Sequence, residues 1–245
     1  MDQPSWWSHL RRRSALPRAR LLVVPHSGGG PNRYLRLVGN VPDDVEVLGF
    51  TLPGRERRLA EPPGATLDEV VTSLSTIPGA VPPTVLLGHS LGATLALHLA
   101  HALGDHCAGL VVSGQTPHRQ DWLSERSTDE EIVRLLERGG DLPSEFFKEG
   151  AWRTALLNNM RADLALGGEA VARGTAIRID APVTVLCGTE DRLIDMEALA
   201  DWGGHTTTRC EVELVPGGHF ALFDPANRPR FEDAIGRHLD RVLSS

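Results

Sequence analysis

Six short runs of near-continuous apolar residues recur along the chain: ARLLVVP (19–25), VEVLGF (45–50), TVLLG (84–88), AGLVVSG (108–114), PVTVLCG (182–188) and CEVELVP (210–216). Each is followed by a loop and then a helical pattern. Runs of this length that are apolar at successive positions suit strands covered by helices on both faces. The chain is therefore read as α/β, with a mostly parallel, doubly wound sheet.

The helical segments carry their own signals. Thr66 and Glu69 form a capping box ahead of Leu67, Val70, Val71, Leu74 and Ile77 at helical spacing. Residues 91–103, LGATLALHLAHAL, are apolar on nearly every side, which predicts a helix lying deep between the sheet and other elements. From Pro117 to about Arg178 the strand rhythm stops. A Thr128/Glu131 capping box leads Ile132, Val133, Leu135 and Leu136, and a second helical pattern runs through 151–166. An insertion of this kind (117–178) within one domain of residues 1–245 predicts a lid over a site, the alternative being a further packed helical layer. Phe231, Ala234, Ile235, Leu239, Val242 and Leu243 predict a final amphipathic helix.

The formal net charge of −7 leaves no general basic surface for phosphates, so no nucleic-acid partner is expected. No run reaches the roughly 18 apolar residues of a membrane helix, and the start has no apolar stretch to make a signal peptide. A cytoplasmic location with no membrane association is expected. Cys107, Cys187 and Cys210 lack the close spacing of a metal or redox pair and read as buried reduced thiols.

Gly88-His89-Ser90-Leu91-Gly92 matches G-x-S-x-G and lies where a nucleophile needs it, between the run TVLLG and the head of a helix. A serine hydroxyl is a poor nucleophile at neutral pH. It needs a base and an acid that orients the base, in the chain order serine, acid, histidine for this arrangement. Asp191, in GTEDR after PVTVLCG, and His219, in GGHF after CEVELVP, fall in loops at the carboxyl ends of strands, where parallel sheets place catalytic groups. Glu190 and Asp195 compete with Asp191 from the same loop.

The oxyanion formed by attack needs two backbone N–H donors. Leu91 is one candidate, and Ser27 in PHSGGG (25–30) is the other. Those glycines lack the spacing and the Lys-Ser/Thr pair of a phosphate loop. His26 and His89 read as braces for their turns. His98 and His101 have no carboxylate partner and no H-E-x-x-H spacing, so no metal site is expected. The N-terminal Trp6, Trp7, Arg11, Arg12 and Arg13 read as a solvated tail that packs its tryptophans, with an acidic partner as the alternative.

With these residues in place, the sequence resembles the stand-alone type II thioesterases of polyketide and nonribosomal peptide synthesis over most of residues 20–240. The pieces that carry the resemblance are VVPHSGGG, LPGRERRLAEP (52–62), GHSLG, MRAD (160–163), GTED and PGGHF (216–220). The PGRE segment is the most specific of them. Ser27 stands where the family often has alanine, and both SGQTPH and LALGGEAV depart from the usual pattern near the acyl pocket. The resemblance implies an α/β-hydrolase fold, a helical lid, and hydrolysis of acyl groups from the phosphopantetheine arm of an acyl or peptidyl carrier protein. It places the catalytic triad on Ser90, Asp191 and His219, and since a complete organic triad needs neither metal nor redox group, no cofactor is expected. A carboxylesterase or lipase, or a non-catalytic binding module, remains the alternative. An acidic carrier facing an acidic enzyme needs a local basic patch, and Arg55, Arg57 and Arg58 are the candidates for that contact. A solvated loop, or an ion pair with Glu56 or Glu61, is the alternative for these arginines.

Overall fold

The computed structural model describes residues 5–11, 17–118, 124–140 and 150–244. Seven strands form one sheet: β1 (Trp7–His9), β2 (Ala19–Val24), β3 (Val45–Phe50), β4 (Thr84–His89), β5 (Cys107–Ser113), β6 (Val183–Gly188) and β7 (Cys210–Val215). Their order is β1-β3-β2-β4-β5-β6-β7, parallel throughout except that β1 runs antiparallel to β3.

The apolar runs are continuous because both faces of the sheet are covered. Leu22, Val24 and Leu86 point to one face, against α1 (Leu67–Thr72), α2 (Leu91–Leu103) and the far half of α4 (Ala151–Gly174). Leu21, Val23, Val85 and Leu87 point to the other, against α5 (Arg228–Leu243) through Phe231, Ala234, Ile235 and Leu239. Every residue from Leu91 to Ala100 is buried, as its all-round apolarity requires. Both capping boxes form, with Thr66 and Thr128 each exchanging two hydrogen bonds with Glu69 and Glu131.

Two regions differ from expectation. The N-terminal tryptophans pack as expected, but their segment is not a solvated tail, because Trp7–His9 pairs with Leu48–Phe50 at the sheet edge. The Trp7 indole donates to the Ser73 carbonyl and hydroxyl, and Trp6 stacks on Phe50. Three residues that pair on one side only leave almost no periodicity to read. Arg11 donates to the Val41 carbonyl and to Asp43, while Arg12 and Arg13 lie outside the described residues. At the opposite edge, β7 is covered incompletely: Val212 and Leu214 are exposed, and Cys210 is half-buried where the other two thiols are buried.

Between β5 and β6 the described elements are α3 (Asp129–Gly139) and α4; residues 119–123 and 141–149 of the insertion lie outside the description. α4 runs eight residues past the 151–166 pattern, and its two halves have different neighbours. Leu166 and Ala170 join the main core, whereas Leu157 and Met160 form a small separate cluster with Ile132 of α3. Asp129 at the start of α3 is tied to Arg153 and Arg161 of α4. No helix among the described residues is long and apolar enough to cross a membrane.

Candidate active site

Ser90 occupies the single residue between β4 and α2, with φ 53° and ψ −123°. This is a conformation that a side-chain-bearing residue adopts only under constraint. Its flanking glycines permit the turn. A Cβ on Gly88 would come within 2.2 Å of the Gly92 carbonyl oxygen, and one on Gly92 within 1.9 Å of the Val24 carbonyl oxygen. Strand, turn and helix are therefore pressed together at both glycines, and the Ser90 N–H is anchored on the Ser113 carbonyl at 2.8 Å.

Asp191 and His219 are brought together by the same kind of packing. A Cβ on Gly188 would meet the Gly217 and Gly218 carbonyl oxygens at 2.3 Å, so the loops after β6 and β7 lie against each other. His219 Nδ1 is 2.8 Å from Asp191 Oδ2, with both residues buried. The other carboxylate oxygen, Oδ1, accepts the Leu193 N–H at 2.9 Å. The Cys187 thiol lies 3.8 Å from Oδ2, and burial together with the Asp191 charge pushes it up to about 12, which keeps it protonated. Glu190 and Asp195 are exposed and do not meet His219. With Asp191 accepting at Nδ1, the histidine presents Nε2 as its basic atom. Ser90 and His219 line one cavity of about 590 Å³, a size that suits a small-molecule site.

Ser27 and Leu91 line the same cavity. Leu91 is the first residue of α2, where an N–H has no partner within the helix. No hydrogen bond to the Ser27 or Leu91 N–H is found among the described residues. The glycines after Ser27 each serve a contact. Gly28 has φ 72°, and a Cβ on Gly29 would strike the His26 ring at 2.5 Å. His26 Nδ1 meets the Tyr34 hydroxyl, and His89 Nδ1 meets the Ser113 carbonyl. Burial, reinforced by nearby cationic groups, holds both rings well below the usual histidine range, so they are neutral packing groups. They act as braces, in contact with Phe220 and with His219. His98 donates to the Ala170 carbonyl through Nε2, joining α2 to α4.

The three arginines do not form a basic patch. Arg55 is buried and makes a two-pronged ion pair with Asp163 of α4, with both N···O distances 2.8 Å. Asp163 Oδ2 also accepts the Gly28 N–H at 2.7 Å. Arg58 is buried too, paired with Glu61, donating to the Thr51 carbonyl and stacked over Trp6. Arg57 alone is exposed, and it donates to the Ser5 carbonyl. The ion pair with Glu61 matches one of the expected alternatives, whereas the Arg55–Asp163 pair lies outside them. A signal for it exists: Asp163 falls on the apolar stripe of Leu156, Met160, Leu164 and Gly167, and a carboxylate facing a core needs a cation.

The chain is similar to known proteins over most of its length. The chain is 28% identical to the gramicidin S biosynthesis protein GrsT of Aneurinibacillus migulanus, over 89% of this chain and 88% of that protein. It is also 28% identical to the medium-chain S-acyl fatty acid synthase thioesterase of Homo sapiens, over 90% and 87%. The solved thioesterase RedJ from the prodiginine pathway of Streptomyces coelicolor superposes with a TM-score of 0.79 at 27% identity, over 91% of each chain. The type II thioesterase YbtT, at 22% identity and a TM-score of 0.81 over 97% and 99%, shares the α/β-hydrolase fold. The thioesterase domain model matches residues 19–239, nearly the whole described chain, and the chain belongs to that family.

Proposed function

We propose that the protein is a type II thioesterase that removes acyl groups from the phosphopantetheine arm of acyl or peptidyl carrier proteins in polyketide or nonribosomal peptide synthesis, in the cytoplasm. The observation that carries this reading is that His219, hydrogen-bonded to Asp191, lines one cavity with a strained Ser90 in a chain of the thioesterase family.

Ser90 Oγ attacks the thioester carbonyl while His219 Nε2 takes its proton, and the negative oxygen is held by the Ser27 and Leu91 N–H groups. The C–S bond then breaks, and His219 returns the proton to the departing thiolate of the arm. Water, deprotonated by His219, attacks the acyl-Ser90 ester; the acid leaves and Ser90 recovers its proton. Asp191 orients the imidazole and stabilises its charged form without taking the proton. The sequence needs no metal or redox cofactor.

Residues 1–245 act in this reading as one hydrolase unit, with the 117–178 insertion as a lid. The separate cluster of Ile132, Leu157 and Met160 supports a movable cover better than it supports a rigid layer. Paired assays with an acyl-pantetheine thioester and the matching oxygen ester test the reaction. Faster turnover of the thioester is expected, together with phosphonate labelling that is lost in Ser90→Ala. Preference for the oxygen ester, or labelling that survives the substitution, overturns the assignment.

A further inference from the structure

One wall of the cavity that Ser90 lines is made by α4, which contributes one or two lining residues per helical turn from Trp152 to Val171. At 1.5 Å per residue this stripe is about 28 Å long. Large side chains, Leu156, Met160 and Leu164, form it as far as Asp163 and one residue beyond. The next two lining residues are Gly167 and Gly168.

Three ordinary reasons for a glycine are missing at Gly168. It lies inside a helix, away from either end, its φ is not in the left-handed region, and a Cβ there would meet nothing within 4 Å. Glycine is also the poorest helix former after proline, so its presence works against α4. What it provides is space. Its neighbour Gly167 instead packs against the residue that follows the serine, since a Cβ there would come within 3.2 Å of Leu91 Cδ1, and this contact sets Gly168 close to the Ser90 end of the cavity. Leu91 and Thr94 line the same cavity from α2, the latter one helical turn, about 5.4 Å, along α2 from the serine. The first few carbons of an acyl group on Ser90 therefore run past the point where the wall recedes.

We propose that Gly168 determines specificity, making room for acyl groups that carry a ring or a branch within their first few carbons in preference to straight chains. The inference rests on the thioesterase reading above and names the substrate class of the same site. A straight chain is filled around adequately by residues such as Leu164 and leaves the volume beside Gly168 empty, whereas a ring occupies it and buries more apolar surface.

The test compares phenylacetyl-pantetheine with hexanoyl-pantetheine, which are similar in reach and differ in width. The wild-type protein is expected to have the higher kcat/KM on the phenylacetyl thioester. In Gly168→Leu, which fills the space, the phenylacetyl to hexanoyl ratio is expected to fall at least tenfold. Gly168→Ala adds one methyl group and is expected to raise Tm and lower the ratio by a smaller factor. A ratio that moves less than twofold in Gly168→Leu overturns the proposal, as does a wild-type preference for the hexanoyl thioester. A fall in Tm for Gly168→Ala also overturns it, because that outcome shows the position to be packed. Wild-type failure on both thioesters would instead remove the thioesterase reading itself, so the two failures are distinguishable.

Discussion

The floor of the active site and its opposite wall are built by different means. On the sheet side, Ser90, Asp191 and His219 stand on backbone turns pressed so closely at Gly88, Gly92 and Gly188 that no side chain fits between them. On the α4 side, position is set by side chains: Asp163 holds Arg55 and the Gly28 N–H, and Arg161 holds Asp129 and the Ser127 carbonyl. Backbone contacts leave little freedom, while ion pairs can be remade. The contrast assigns the proposed chemistry to the sheet and the adjustable shape of the cavity to the helix.

The largest effect should come from breaking the sheet side. Ser90→Gly removes the proposed attacking atom and is expected to lower kcat by about a thousandfold or more. The same change relieves a conformation that costs about 1–3 kcal/mol, so Tm should rise. Thermal melts and thioester turnover on one preparation read both, and a fall in Tm would contradict the strain at this turn.

Breaking the helix side comes next. Asp163→Ala leaves Arg55 buried without its counter-ion, a loss of about 3–5 kcal/mol, and releases the Gly28 N–H beside the proposed oxyanion donor Ser27. Stability should fall and kcat should drop more than KM rises. Replacing both partners, Arg55→Met with Asp163→Met, is expected to regain most of the stability without regaining kcat. Recovery of kcat in the double variant would show that the pair only props up the fold.

Within α4 the two halves can be compared directly. Leu166→Ala opens the main core and should cost about 2–5 kcal/mol by denaturant unfolding. Leu157→Ala falls in the small cluster and should cost less, appearing mainly as faster amide exchange in α3. Equal losses at the two positions would show α4 to be rooted along its whole length.

Acid should weaken the sheet side. His26 and His89 are held neutral by burial, so between their depressed folded values and about 6.5 the unfolded chain binds more protons than the folded one. Their contribution is complete above about pH 6.5 and is lost as pH falls below it, by about 1.4 kcal/mol per pH unit for each ring. Tm measured from pH 7.5 to 5 should decline, and a flat profile would oppose this account. The smallest effect is expected at Arg57. Its exposed guanidinium reaches only the Ser5 carbonyl, and Arg57→Ala should change stability by no more than about 0.5 kcal/mol.

Much of this site is legible before folding because its determinants are local. Apolar runs between turn residues define six of the seven strands, and a G-x-S-x-G pentad after one of them marks the serine turn. An acid and a histidine in the loops after two later strands must reach the same sheet edge, because parallel strands end there together. The tertiary structure alone decided that Arg55, in a segment read as a basic contact, turns inward to Asp163, 108 residues away. It alone made a sheet edge of Trp7–His9, and only the packing of α4 on α2 shows that Gly168 faces open space. Periodicity and turn chemistry are properties of neighbouring residues, whereas the partner of a buried charge and the width of a cavity depend on which distant surfaces meet.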